Sequence, residues 1–124
     1  APDKKDDAQQ IERVNNAVAD GADAIMIHSR RKDPAEIFEF VEKFRAKDSV
    51  TPIVVVPTSF NAVTEEEFKA RGVNIVIYAN QMTRTGIPAM QDAARTILEH
   101  HRAKECDEKC LSIQEIITLI PEEL

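Results

Sequence analysis

His28 is the side chain best placed for chemistry, because of what stands on either side of it. Ala24-Ile25-Met26-Ile27 is apolar without alternation, His28-Ser29 is polar, and Asp33-Pro34 then opens a helix. A strand buried on both faces thus runs out into a loop and a capped helix. In parallel α/β proteins ligands bind at such carboxyl ends, where loops are free of packing duty and helix amino termini converge. An imidazole there either lines a ligand site or bonds a backbone carbonyl, and the residues alone leave both readings open. Arg30, Arg31 and Lys32 follow directly and offer positive charge to an anion, although cations on an exposed loop are usually just solvated. His100, His101, Cys106 and Cys110 are metal-ligand types, but their spacing matches no standard zinc pattern and adjacent histidines face different sides of a helix. Cys110 is expected to pack as a small apolar residue and Cys106 to be an exposed loop thiol.

The elements that must position His28 repeat. Strand-like runs with polar ends recur at residues 52–60 and 73–82, so the chain reads as a repeating β/α architecture. Ahead of the first strand, Ile11, Val14 and Val18 fall at helical spacing and Gly21 is the expected C-terminal cap. Residues 1–10 are polar and read as a flexible lead-in. Between the first two strands a helix buries Ile37, Phe40, Val41 and Phe44. Thr64 with Glu67 forms a capping box for a short helix ending near Gly72. Residues 87–102 carry Ile87, Met90, Ala94, Ile97 and Leu98 on one side of a longer helix. Residues 105–109 read as a charged linker. Ser112 with Glu115 caps a last helix over 112–120, whose stripe of Ile113, Ile116, Ile117 and Ile120 suits either ordinary packing or a subunit contact.

At 124 residues the chain suits one domain, able to bury roughly two thirds of its unfolded surface. A net charge of -6 disfavours nucleic acid and anionic membranes as partners, since both need a basic field. No apolar run approaches the roughly 20 residues that cross a bilayer, and the amino-terminal residues are charged rather than signal-like, so a cytoplasmic location is expected. Two cysteines are too few for a disulfide framework. The chain opens on Ala1 rather than methionine, which leaves processing, a cloning boundary and an upstream portion as alternatives. No glycine-rich phosphate loop or metalloprotease motif is present.

Three apolar parallel strands need cover on both faces, and a closed barrel needs about eight strands. The fold class expected is α/β: a partial (β/α)8 barrel, three parallel strands with flanking helices. Left bare, the inner face and strand edges would expose a large apolar surface. The chain is therefore expected either to associate with another copy or to repack its first or last helix over that face.

From Gly21 onward the order of words resembles the carboxyl-terminal part of the phosphoenolpyruvate mutase family, in the isocitrate lyase superfamily. The words are Gly21-Ala22-Asp23-Ala24-Ile25-Met26-Ile27-His28-Ser29, Asp33-Pro34, Val55-Val56-Pro57-Thr58, Gly72-Val73, Val76-Ile77-Tyr78-Ala79-Asn80 and Ser112-Ile113-Gln114-Glu115-Ile116. The similarity spans about residues 11–124. It implies a β/α barrel in which residues 11–20 are the fifth helix and the three strands are the sixth, seventh and eighth. Residues 87–102 would then be the helix that swaps into a neighbouring subunit, giving a homo-oligomer.

The chemistry implied interconverts phosphoenolpyruvate and phosphonopyruvate, or hydrolyses or cleaves related oxo acids, with Mg2+ held by carboxylates. Those carboxylates, the phosphoryl-binding loop and the arginine ending the fifth strand belong to earlier parts of the barrel, and residues 1–10 offer no replacement. Mg2+ is thus implied by the resemblance alone, and no cofactor is expected for this chain by itself. His28 matches the histidine that mutase-type members place at the end of strand six, where an imidazole can donate to phosphoryl oxygens as charge redistributes. Thr58 and Asn80 match positions ending strands seven and eight and are weaker candidates for substrate contact. Two functions follow. One is the second portion of a mutase-like enzyme, active only with a complementary barrel half. The other is a non-catalytic oligomeric scaffold or small-molecule binding module.

Overall fold

Val14 and Val18 lie on α1 (Lys4–Ala19) and pack, half-buried, against the main apolar cluster. The computed structural model describes the backbone of residues 4–120 and the side chains of residues 9–120. Ala1 to Asp3 of the polar lead-in lie outside the described residues. From Lys4 onward that lead-in is helical, so the helix starts seven residues before its first apolar position. Gly21 closes it at φ 103°, with its amide donating to Val18 O (3.0 Å) and the Ala22 amide to Ala17 O (2.9 Å). This is the paired bonding of a Schellman cap, which favours glycine at the left-handed position.

The chain divides into two compact units, Ala1–Ala79 and Asn80–Leu124. The first holds a three-stranded parallel sheet of order β1 (Ile25–Ile27), β2 (Ile53–Val55) and β3 (Ile75–Val76). Ile25 pairs with Ile53, Met26 with Val54, and Ile27 with Val55; Val54 and Val55 pair on with Ile75 and Val76. The ladders are shorter than the apolar runs because pairing stops where each chain turns towards a loop.

Between β1 and β2 runs α2 (Ala35–Arg45), and between β2 and β3 runs α3 (Glu65–Arg71). Asp33 Oδ1 accepts the Ala35 amide (2.9 Å), and Pro34 stands at the cap rather than inside the first turn. Ile37, Val41 and Phe44 of α2 are buried with Ile25, Ile27, Ile53, Val55, Phe60 and Phe68. Each large side chain so placed contributes about 1.5–3 kcal/mol. At α3 the expected box is half made: Thr64 Oγ1 accepts the Glu67 amide (3.2 Å), while the Glu67 carboxylate pairs with Arg71 (3.4 Å). Gly72, at φ 95°, caps α3.

Arg45 ties the amino-terminal ends of β2 and β3 together. Its Nε and Nη2 donate to Gly72 O (2.9 and 2.8 Å), Nη1 to Asp48 O (3.0 Å) and Thr51 O (2.8 Å), and Nη2 also to Asn74 Oδ1 (2.8 Å). Asn74 Oδ1 in turn accepts the Ile53 amide (2.9 Å). The left-handed backbone angle at Gly72 favours glycine, and a Cβ there would meet Arg45 Nε at 3.0 Å, so that side chain would have to give by a few tenths of an ångström.

Strand alternation sends Ile25, Ile27, Ile53 and Val55 into the helix layer. The register row Met26–Val54–Ile75 occupies the other face, where Met26 is 61% exposed, Ile75 47% and Val54 8%. The first helix does not repack over this face as the sequence reading allowed. Its valines join the helix-side cluster instead, because that is where the apolar residues of α2 already gather.

In the second unit α4 (Gln81–His100) begins six residues before the expected helix. Gly86 and Pro88 both lie inside this helix, and Thr85 Oγ1 bonds back to Gln81 O (2.8 Å). His101, at φ 53°, ends the helix two residues earlier than expected. The charged linker is a 3-10 helix, Lys104–Lys109, pinned by Arg102–Glu105, Lys104–Asp107 (2.8 Å) and Lys109–Asp92 ion pairs. The cysteine assignment reverses: Cys106 is 5% exposed and its thiol lies 3.7 Å from Ala93 O, while Cys110 is exposed. The 3-10 turn faces Cys106 back towards α4, which a linear reading of charge could not foresee. The Ser112–Glu115 capping box opens α5 (Ile113–Ile117), and its isoleucines are exposed. No described helix is long and apolar enough to cross a membrane.

Candidate functional site at the carboxyl end of β1

The burial alternation of β1 does not stop at the end of its ladder. Ile25, Ile27 and Ser29 are buried and Met26 and His28 exposed, so the alternation of burial carries on for two residues beyond the last strand position. His28 therefore shares a side with Met26, away from Ile27 and Ser29. Its ring centroid lies 6.5 Å from that of Phe60 at a 54° tilt. Phe60 is fully buried in the loop after β2 and stands edge-on to Phe68 at 6.2 Å. The sequence reading missed Phe60; its one signal was an aromatic residue two positions beyond Thr58.

Ser29 is 6% exposed and is the one buried polar side chain among the described residues. Its hydroxyl donates to Glu36 Oε2 (2.7 Å) in the first turn of α2 and accepts the Arg31 amide (3.1 Å). Arg31 Nε stands 3.8 Å from the same Glu36 oxygen. Of the three loop cations, Arg31 is thus part of a local network. Beside β1 opens a cleft of about 240 Å³ whose lining includes Gln10, Arg13, Met26, His28, Glu36 and Phe40. It is apolar at its floor, with an amide, a guanidinium, an imidazole and a carboxylate around it, a composition that suits a small polar molecule.

Thr58 follows β2, half-buried, with its amide donating to Val56 O (2.8 Å). At the end of β3, Tyr78 Oη donates to Glu65 Oε1 (2.8 Å), and that bond to a carboxylate, with lesser help from burial and the charges of Glu65 and Glu66, raises the phenol above its ordinary 10.0. Asn80 belongs to the second unit and is the N-cap residue of α4. Its carbonyl accepts the Arg84 amide (3.0 Å) and its Oδ1 the Arg84 guanidinium (3.4 Å). The first unit therefore carries His28, Phe60 and Thr58 on loops after β1 and β2, and Asn80 is a helix-start residue of the other.

Among the described residues no three His, Cys, Asp or Glu side chains converge as a metal-binding group. The Mg2+ implied by resemblance finds no ligand set among those residues.

A family model described as phosphoenolpyruvate phosphomutase matches residues 2–98. The chain belongs to the phosphoenolpyruvate phosphomutase family. It is 35% identical over 111 residues to the phosphoenolpyruvate phosphomutase of Tetrahymena pyriformis, covering 90% of this chain and 35% of that protein. To the phosphonopyruvate hydrolase of Variovorax sp. (strain Pal2) it is 40% identical over 100 residues, covering 80% and 33%. Among solved structures it superposes on the phosphoenolpyruvate phosphomutase from Streptomyces platensis subsp. rosaceus with a TM-score of 0.83 at 28% identity, covering 90% of this chain and 38% of that one. A phosphonopyruvate hydrolase solved in complex with oxalate and Mg2+ gives 0.81 at 36% identity, with the same two coverages. The chain thus spans about a third of the length of the curated relatives it matches.

Proposed function

We propose that this chain is the arc of a phosphoenolpyruvate phosphomutase-type barrel that presents His28 to the phosphoryl group of a three-carbon oxo acid. The observation that carries the reading is the position of His28, the first residue past β1, exposed and lining a cleft. Interconverting phosphonopyruvate and phosphoenolpyruvate breaks a C–P bond and makes a P–O bond with no net change in atoms. The task is therefore positioning and charge stabilisation, to which an imidazole donor contributes through a hydrogen bond aimed at phosphoryl oxygen. In this reading Thr58 and Asn80 are secondary substrate contacts, and the carboxylates that hold Mg2+ come from the remaining strands of the barrel.

The test is phosphorus NMR of phosphonopyruvate with Mg2+. The chain alone gives no conversion; the chain together with the other barrel strands gives conversion, and His28→Ala lowers it by about 10²-fold or more. Turnover by the chain alone, or turnover indifferent to His28→Ala, overturns the reading. The exposed row of Met26 and Ile75 favours a second reading, a non-catalytic oligomeric module. For that reading sedimentation gives a stable multimer of the chain, and no added segment restores conversion.

A further inference from the structure

We propose that Ser29 is the positioning residue for His28, acting through the Ser29–Glu36 hydrogen bond. Beyond Ile27 the β1–β2 ladder ends, yet the extended alternation persists through His28 to Ser29. Something other than strand pairing must hold those two residues in line. The Ser29 hydroxyl does so from the buried side. It reaches Glu36 at 2.7 Å, a short bond to a carboxylate, and closes a tight loop by accepting the Arg31 amide at 3.1 Å. Glu36 sits in the first turn of α2, the element most firmly embedded through Ile37, Val41 and Phe44. The anchor therefore ties the loop to the rigid helix layer. Burial alternates between these neighbours, so holding Ser29 inward leaves His28 on the exposed side, with its ring 6.5 Å from that of Phe60. A serine whose only task was to fill space would not need both a carboxylate acceptor and an amide donor.

The proposal concerns how the ring is held. Only its catalytic consequence rests on the site reading given above. The test begins with the chain itself, by NMR of the His28 imidazole. The signal is assigned by its loss in His28→Asn, and its displacement by the Phe60 ring is calibrated with Phe60→Leu. Ser29→Ala and Glu36→Ala are each expected to remove most of that displacement by similar amounts. The double variant goes no further, because one shared bond is lost. Ser29→Thr keeps the hydroxyl and restores the original signal. The Ile53 and Val55 methyl signals report that the core is intact, and Glu36→Ala, at a half-buried position in the first turn of α2, covers the event that Ser29→Ala unfolds. A His28 signal unchanged in Ser29→Ala, or moved by Ser29→Ala and not by Glu36→Ala, overturns the proposal. In the barrel completed by its other strands, Ser29→Ala lowers kcat about 10²-fold with KM nearly constant, and Ser29→Thr recovers it. If His28→Asn retains full kcat there, the site reading fails and the NMR result stands. If His28→Asn abolishes kcat while Ser29→Ala does not change it, the positioning role fails.

Discussion

Replacing Arg45 with methionine is expected to cost the first unit about 2–4 kcal/mol. The guanidinium serves four acceptors: the carbonyls of Gly72, Asp48 and Thr51 and the side-chain oxygen of Asn74. A hydrogen bond is worth about 0.5–1.5 kcal/mol net, and the side chain is only half-buried, so water replaces part of each bond; about 0.5–1 kcal/mol per acceptor is the appropriate figure. Methionine keeps most of the aliphatic packing near Phe44, so the loss reports the polar clasp. For a unit of this size about 2–4 kcal/mol lowers Tm by at least about 8 °C. The assay is urea and thermal unfolding followed by far-UV circular dichroism, since the sequence has no tryptophan. Arg45→Lys retains the charge but not the planar fork, so it should recover less than half of the loss. A loss below about 1 kcal/mol for Arg45→Met, or full recovery with lysine, refutes the reasoning.

Two further outcomes are expected. The single tyrosine, Tyr78, has its phenol raised by Glu65, so the folded chain holds that proton more tightly than the unfolded one. The resulting stabilisation is complete below pH 10.0 and is lost as pH rises through the raised value; Glu65→Ala should return the phenolate absorbance titration towards 10.0. Under native conditions a thiol reagent should modify Cys110 at once and Cys106 only on unfolding, and mass spectrometry of the labelled peptides reads which was reached.

Much of the first unit could be read from the residues. The strand at Ile25–Ile27, the Asp33-Pro34 helix start, the glycine caps at 21 and 72 and the buried stripe of Ile37, Val41 and Phe44 are local signals, and each appears where periodicity and capping chemistry put it. The second unit was read less well. The first turns of α4 carry Met82 as their one large apolar side chain, so the apolar stripe that begins at Ile87 put the helix start too late. The cysteines were exchanged because burial of Cys106 depends on a 3-10 turn folding onto Ala93, thirteen residues away in sequence. At the site, His28 was legible as a residue past an apolar run. Phe60 and Glu36 were not, since their proximity to His28 and Ser29 comes from tertiary packing and no spacing encodes it.

The Met26–Val54–Ile75 row also provides two kinds of built-in reporter. Val54 in the central strand is buried, whereas the Met26 thioether and the Ile75 side chain are exposed on the flanking strands. Methyl resonances at the flanks will therefore respond to whatever settles on that surface, be it another protomer or further strands, while the central valine registers only whether the sheet is intact. Labelling three side chains thus separates assembly from folding in one spectrum.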